Sequence, residues 1–118
     1  MKKEDYKISY ACLNCRIAFK RSARMKGQQF PLLLTCTICS GDALNFGRHF
    51  KAPSCSDLKQ WKKVKFLAQH GFWFQRIHLS SSWADVAPYR DTLEQAKEFV
   101  EKYRDYAIKI DDEIIGRL

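Results

Sequence analysis

From Tyr6 the chain alternates: Tyr6, Ile8 and Tyr10 fall on one side, Lys7, Ser9 and Ala11 on the other. A period of two is the signature of a half-buried strand, here over 6–11. Ile17 and Phe19 alternate with Arg16, Ala18 and Lys20, so a second strand follows. The stretch from Lys20 to Gln29 is basic and polar, and Gly27 punctuates it; the hairpin turn is placed there. Phe30, Leu32 and Leu34 share one face of a return strand, with Pro31 suited to an edge position. Ala43 to Phe46 forms a further short strand stopped by Gly47. The pattern predicts an antiparallel sheet of three or four strands.

The period then changes. Residues 48–53 read as a connecting loop, and Ser54 or Ser56 as a helix cap. Residues 57–69 read as a helix with Asp57 in its first turn and Gly71 just past its end. Leu58, Trp61, Val64 and Ala68 form the inner stripe, with Leu67 beside it, and Lys59, Lys62, Lys63 and Lys65 cover the rest. Phe72 to Leu79, apolar on both faces, predicts a buried strand. A long loop spans 80–88. A second helix is expected from Asp91 to Tyr106, capped by Asp91 with Glu94, its stripe being Leu93, Ala96, Val100, Tyr103 and Ala107. The tail offers two readings: a short strand through Ile108 and Ile110, or a last helical turn at 111–115.

Two cysteine pairs interrupt the sheet pattern: Cys12 with Cys15, and Cys36 with Cys39. Two residues between thiols let a tight turn aim both sulfurs at one point, and two such turns complete a tetrahedron around one Zn²⁺. Iron can take the same ligands. A thioredoxin-like redox role needs the motif to open a helix, and the flanks here are strands. The first 50 residues are too few to hold a core unaided, so the metal has a folding role. A closed four-thiolate site leaves no open coordination position, which makes the zinc structural rather than catalytic. Cys55 has no matching partner and reads as a small buried or semi-exposed residue, with a reactive thiol as the second reading.

With those cysteines on flanking strands, residues 8–50 resemble the zinc-ribbon class, whose members hold one zinc between two such turns. The second pair reads Cys36-Thr37-Ile38-Cys39-Ser40-Gly41, without the proline usual inside the ribbon turn and with glycine one place late. Through Gly47-Arg48-His49-Phe50-Lys51-Ala52-Pro53 and the helix with Lys and Trp after it, the whole chain also resembles small uncharacterised zinc-ribbon proteins of bacteria and phages. The fold class expected is α+β: a zinc ribbon over 1–53, and a small extension over 54–118 with two helices and a strand, packed on it as one compact unit. Zinc ribbons occur in transcription and translation proteins, which implies contact with nucleic acid or with a partner protein.

Charge gives that implication a location. The formal net charge is +8. Residues 1–55 carry ten Lys/Arg against three Asp/Glu, residues 56–79 five against one, and residues 80–118 six against nine. A basic front suits an anionic partner. Candidate nucleic-acid contacts are Lys20, Arg21, Arg24, Lys26, Arg48, His49 and Lys51, with Lys59, Lys62 and Lys63 on the helix. Phe19 and Phe50 among them are candidates for stacking on bases or for the core. There is no base-reading motif, so backbone recognition is expected. Trp73, Trp83 and Tyr89 suggest a protein interface. The first expectation is a non-catalytic nucleic-acid-binding module. The second is a phage or bacterial regulator that binds a host protein of the nucleic-acid machinery, such as a polymerase, a nuclease or a CRISPR-type effector. A nuclease using His49 ranks last, because the basic half lacks metal-binding carboxylates. No small-molecule substrate and no membrane partner are expected. No apolar run has the length of a membrane span, and the first residues lack the apolar core of a signal peptide, so a cytoplasmic site is expected.

Overall fold

The computed structural model describes residues 7–22, 31–79, 86–89 and 91–118. The chain divides into two units, Met1–Ser56 and Asp57–Leu118.

The first unit is a four-stranded antiparallel sheet: β1 (Lys7–Cys12), β2 (Ile17–Ser22), β3 (Leu33–Thr35) and β4 (Asp42–Asn45), in the order β2-β1-β4-β3. The long basic stretch was expected to fold β2 back onto β3. Instead β2 and β3 lie on opposite edges of the sheet. Each cysteine pair is itself a hairpin turn, joining β1 to β2 and β3 to β4, and β1 pairs with β4 to unite the hairpins. The expected turn near Gly27 lies outside the described residues.

β1 is central, and both of its faces are covered. Ile8, Tyr10 and Ala43 form a buried cluster with Phe19 and Leu34 packed against it. Ser9 and Ala11, expected on the solvent side, are also buried. Ser9 is satisfied there: its backbone N–H donates to Gly47 O at 2.8 Å, and its hydroxyl donates to Phe50 O. On that side Phe46 and Phe50 are buried and meet edge to face.

The second unit contains α1 (Leu58–Gln69), α2 (Leu93–Lys102), a 3₁₀ turn (Arg104–Tyr106) and α3 (Asp112–Arg117). Asp57 caps α1, accepting from the Gln60 N–H, so the cap is neither Ser54 nor Ser56. Trp61, Val64, Leu67 and Ala68 are buried as the stripe predicts. Leu58 is 54% exposed, because it begins the helix, while Lys63 is only 9% exposed. Burial pushes the Lys63 ammonium pKa down, against the pull of Asp91 and then Asp57. Gly71 has φ of +88°, and a Cβ there would meet Ile108 O at 2.7 Å. Glycine is required because the chain turns and the tail docks there, with Ile108 N–H donating to Gly71 O.

Phe72 to Leu79 is not a strand. Phe74 has φ of +64°, which breaks extended pairing, and among the described residues the segment pairs only through the His78–Val86 bridge. Gln75 organises the loop: its side chain accepts from the Trp73 N–H and donates to Gly71 O and Tyr106 O. The apolar residues on both faces are there because Phe72, Trp73 and Ile77 are all buried. α2 starts two residues later than expected, with a capping box of Thr92 and Gln95 in place of Asp91 and Glu94. It gives way to the 3₁₀ turn before Tyr106. The tail takes the helical reading, as α3. The core of this unit is Leu67, Phe72, Ile77, Ala87, Ala96 and Phe99. Among the described residues no buried side-chain nitrogen or oxygen lacks a partner, and no helix is long and apolar enough to cross a membrane.

Candidate metal centre

The two turns of the sheet unit are built alike. In the first, Arg16 N–H donates to Cys12 O at 2.9 Å; in the second, Ser40 N–H donates to Cys36 O at 3.0 Å. The residue after each second cysteine is left-handed, with φ of 58° at Arg16 and 65° at Ser40. This conformation closes the turn and sends the chain back as the next strand. A side chain there costs about 1–2 kcal/mol, which is why glycine is the easy choice. Neither turn has it. Arg16 is held by its own side chain, whose Nε donates to Cys55 O at 2.9 Å.

The four sulfurs lie within 4.8 Å of one another. Cys12 Sγ is 3.6 Å from Cys39 Sγ, and Cys15 Sγ is 3.9 Å from Cys36 Sγ. A regular tetrahedron with metal–thiolate bonds of about 2.3 Å has edges of about 3.8 Å. The two measured edges bracket that length. The backbone also addresses the sulfurs. Cys15 N–H points at Cys12 Sγ and Ile38 N–H at Cys36 Sγ, both at 3.4 Å, and Gly41 N–H points at Cys39 Sγ at 3.3 Å. N–H donors favour thiolate over thiol. Gly41 has a reason beyond this, since a Cβ there would press on Cys39 Sγ at 3.3 Å.

The thiols separate into two kinds. Backbone N–H groups of Cys39 and Ile38 lower the Cys36 pKa. The Asn14 side chain, then the Gly41 N–H, lower Cys39 to about 6. Burial raises Cys12. Cys15 is raised chiefly by its bond with the Cys39 sulfur, then by desolvation. Thiolates gathered this closely repel, and a divalent cation removes the repulsion. The donor set, spacing and N–H donors all fit a metal ion. The four cysteines are positioned to bind one, with every ligand place of a tetrahedron filled from the chain.

The sequence places Ser40 and Gly41 at the close of the second cysteine turn, but it does not point to Asn14 or to Arg16 as parts of the site. The late glycine after Cys39 was the available signal for Gly41; nothing in the residue types marks Asn14 or the left-handed Arg16.

The basic candidates are distributed across both units. Lys20 and Arg21 are exposed on β2, Arg48, His49 and Lys51 are exposed after β4, and Lys59 and Lys62 are exposed on α1. Lys63 is buried rather than on the solvated face. Arg24 and Lys26 lie outside the described residues, as does Trp83. Trp73, expected at an interaction surface, is instead buried, with its indole N–H donating to Ala68 O at 2.9 Å. Tyr89 is half-buried and donates to Gln75 O at 2.6 Å. Cys55 is exposed.

No family model, curated protein or solved structure matches the chain in comparison. The fold and site are those of a mixed α and β protein whose four-stranded antiparallel sheet carries four cysteines within metal-binding distance, an arrangement consistent with a zinc-ribbon-like site, beside a helical second unit.

Proposed function

We propose that the protein is a non-catalytic nucleic-acid-binding module in which one structural zinc, held by Cys12, Cys15, Cys36 and Cys39, orders a basic sheet. The reading is carried by charge: residues 1–56 hold ten Lys/Arg against three Asp/Glu, and Lys20, Arg21, Arg48 and Lys51 are exposed among the described residues. Four thiolates satisfy zinc's preferred tetrahedron, so chemistry at the metal has no vacant position to use. The zinc ion supplies charge neutralisation and a crosslink between the two turns. The cations of the sheet unit then contact phosphates without reading bases, helped by His49.

A salt titration tests this. Binding of the zinc-loaded protein to labelled DNA and RNA should weaken steeply with salt, with a log–log slope of about −0.9 per neutralised phosphate on B-form DNA. Lys20→Ala and Lys51→Ala should weaken binding alike on all sequences. Absence of binding at low salt overturns the reading.

One observation favours the second reading, a phage or bacterial regulator that docks on a host protein of the nucleic-acid machinery. Ile38, at the tip of the second cysteine turn, is 69% exposed. An apolar tip beside a basic sheet suits a protein contact. Capture of a host polymerase or nuclease, lost in Ile38→Asp, is the result that would select it.

A further inference from the structure

Three side chains on one face of the sheet form a graded stack. Tyr10 on central β1 is fully buried, Phe19 opposite it on edge strand β2 is half-buried, and Arg21 two residues on is exposed. The Tyr10 and Phe19 rings stack with centroids 6.0 Å apart and planes 15° from parallel. The Arg21 guanidinium sits 4.6 Å from the Phe19 ring centroid. Its Nη1 donates to Lys20 O at 3.3 Å, which restrains it there. The Tyr10 ring is fixed from beneath, since its hydroxyl donates to Pro31 O at 2.7 Å. An exposed arginine normally loses much rotamer freedom when it binds something; this one is already held against a ring.

Resting on the nucleic-acid reading above, we infer that this stack is a platform for an unpaired base, so the partner is a single strand rather than a duplex. The physical reason is the planar cation at the outer end. A guanidinium restrained over a ring offers stacking area to a base and charge to its phosphate, a combination that a lysine does not provide. Bases within a duplex are already stacked on their neighbours and cannot use it.

The test compares zinc-loaded wild type with Arg21→Lys, which keeps the charge and loses the plane. Probes are fluorescent oligothymidylate, oligouridylate and a duplex of equal length at low salt, read by anisotropy. Wild type should prefer the single strands, and Arg21→Lys should lose about tenfold on them, a larger loss than it shows on the duplex. Phe19→Leu, checked for retained zinc, removes the ring beneath and should reproduce the loss. A preference between oligothymidylate and oligouridylate, which differ in the sugar and in the thymine methyl, supports the platform as long as both bind more tightly than the duplex. Equal affinity for duplex and single strand, or an Arg21→Lys protein that binds single strands like wild type, overturns the platform and leaves the phosphate-contact reading intact. No binding to any of the three probes overturns both.

Discussion

In the sheet unit the buried cluster on the Tyr10 face is Ile8, Tyr10 and Ala43, with Phe19 and Leu34 against it. In the helical unit Phe99 alone meets Phe72, Tyr89 and Tyr103 at centroid distances of 5.3, 4.8 and 4.8 Å. One unit joins two hairpins through four thiols that repel when ionised; the other joins helices and loops through an aromatic core. The difference shows what each depends on. A crosslink by an ion supplies in one event what a small sheet cannot gain from burial, and is lost in one event. A packed core is lost by degrees, according to which side chain is cut back.

Metal removal should have the largest effect. Structural zinc contributes on the order of 10–16 kcal/mol in small zinc modules. Chelation, or Cys36→Ser, should abolish amide-exchange protection across β1 to β4 while α1 and α2 keep theirs. Helices that exchange together with the sheet would show that the two units do not depend on different sources of order. A Cys36→Ser protein that retains one zinc per chain would refute the four-ligand assignment.

Phe99→Ala should cost about 3–5 kcal/mol, seen as a lower denaturation midpoint for the helical unit. Zinc stoichiometry should stay at one. Loss of metal in this variant would break the contrast from the other side.

Acid should also separate the units. The Cys39 pKa is depressed to about 6, and Cys36 is depressed as well. A depressed pKa contributes stability that is complete above the unfolded thiol value of about 8.5 and is lost as pH falls through about 6. Bound metal competes with the same protons, so release to a zinc indicator should rise as pH falls through that window. In the helical unit the shifted groups titrate elsewhere. Tyr89 is raised by burial, so its contribution is present below about pH 10 and lost only as pH rises further. Lys63 is lowered, so its burial becomes less unfavourable toward its unfolded value. Acid-induced metal release should therefore leave the helical circular dichroism signal in place.

The smallest effect concerns the two left-handed residues. Ser40→Gly should stabilise the sheet unit by about 1 kcal/mol. Arg16→Gly should gain less, because it also gives up the Nε bond to Cys55 O. Chelator competition would rank the variants, and equal gains would show that the arginine contact contributes nothing.

The strands flanking each cysteine pair, the buried face of α1 and the four thiols were all legible because each obeys a local period or spacing. The register of hairpins was not. Twenty residues separate Cys15 from Cys36, and the polar run from Lys20 to Gln29 within them reads as the turn of a hairpin between its flanking strands; the reversals of the sheet lie within the six residues from Cys36 to Gly41 and the four from Leu13 to Arg16 instead. The segment 72–79 misled for a related reason. Apolar residues on both faces mark burial, and burial does not require a strand when Gln75 supplies the hydrogen bonds a neighbouring strand would give.

Local order in the chain specified the ligands, the two turns that carry them and the excess of positive charge near them, because ligand spacing and strand period act over a few residues. Long-range packing settled the rest. It set β2 and β3 at opposite edges, covered both faces of β1, buried Lys63 and Trp73, and brought Phe19 over Tyr10. Those outcomes depend on which distant backbone groups find one another, and no short-range period encodes that.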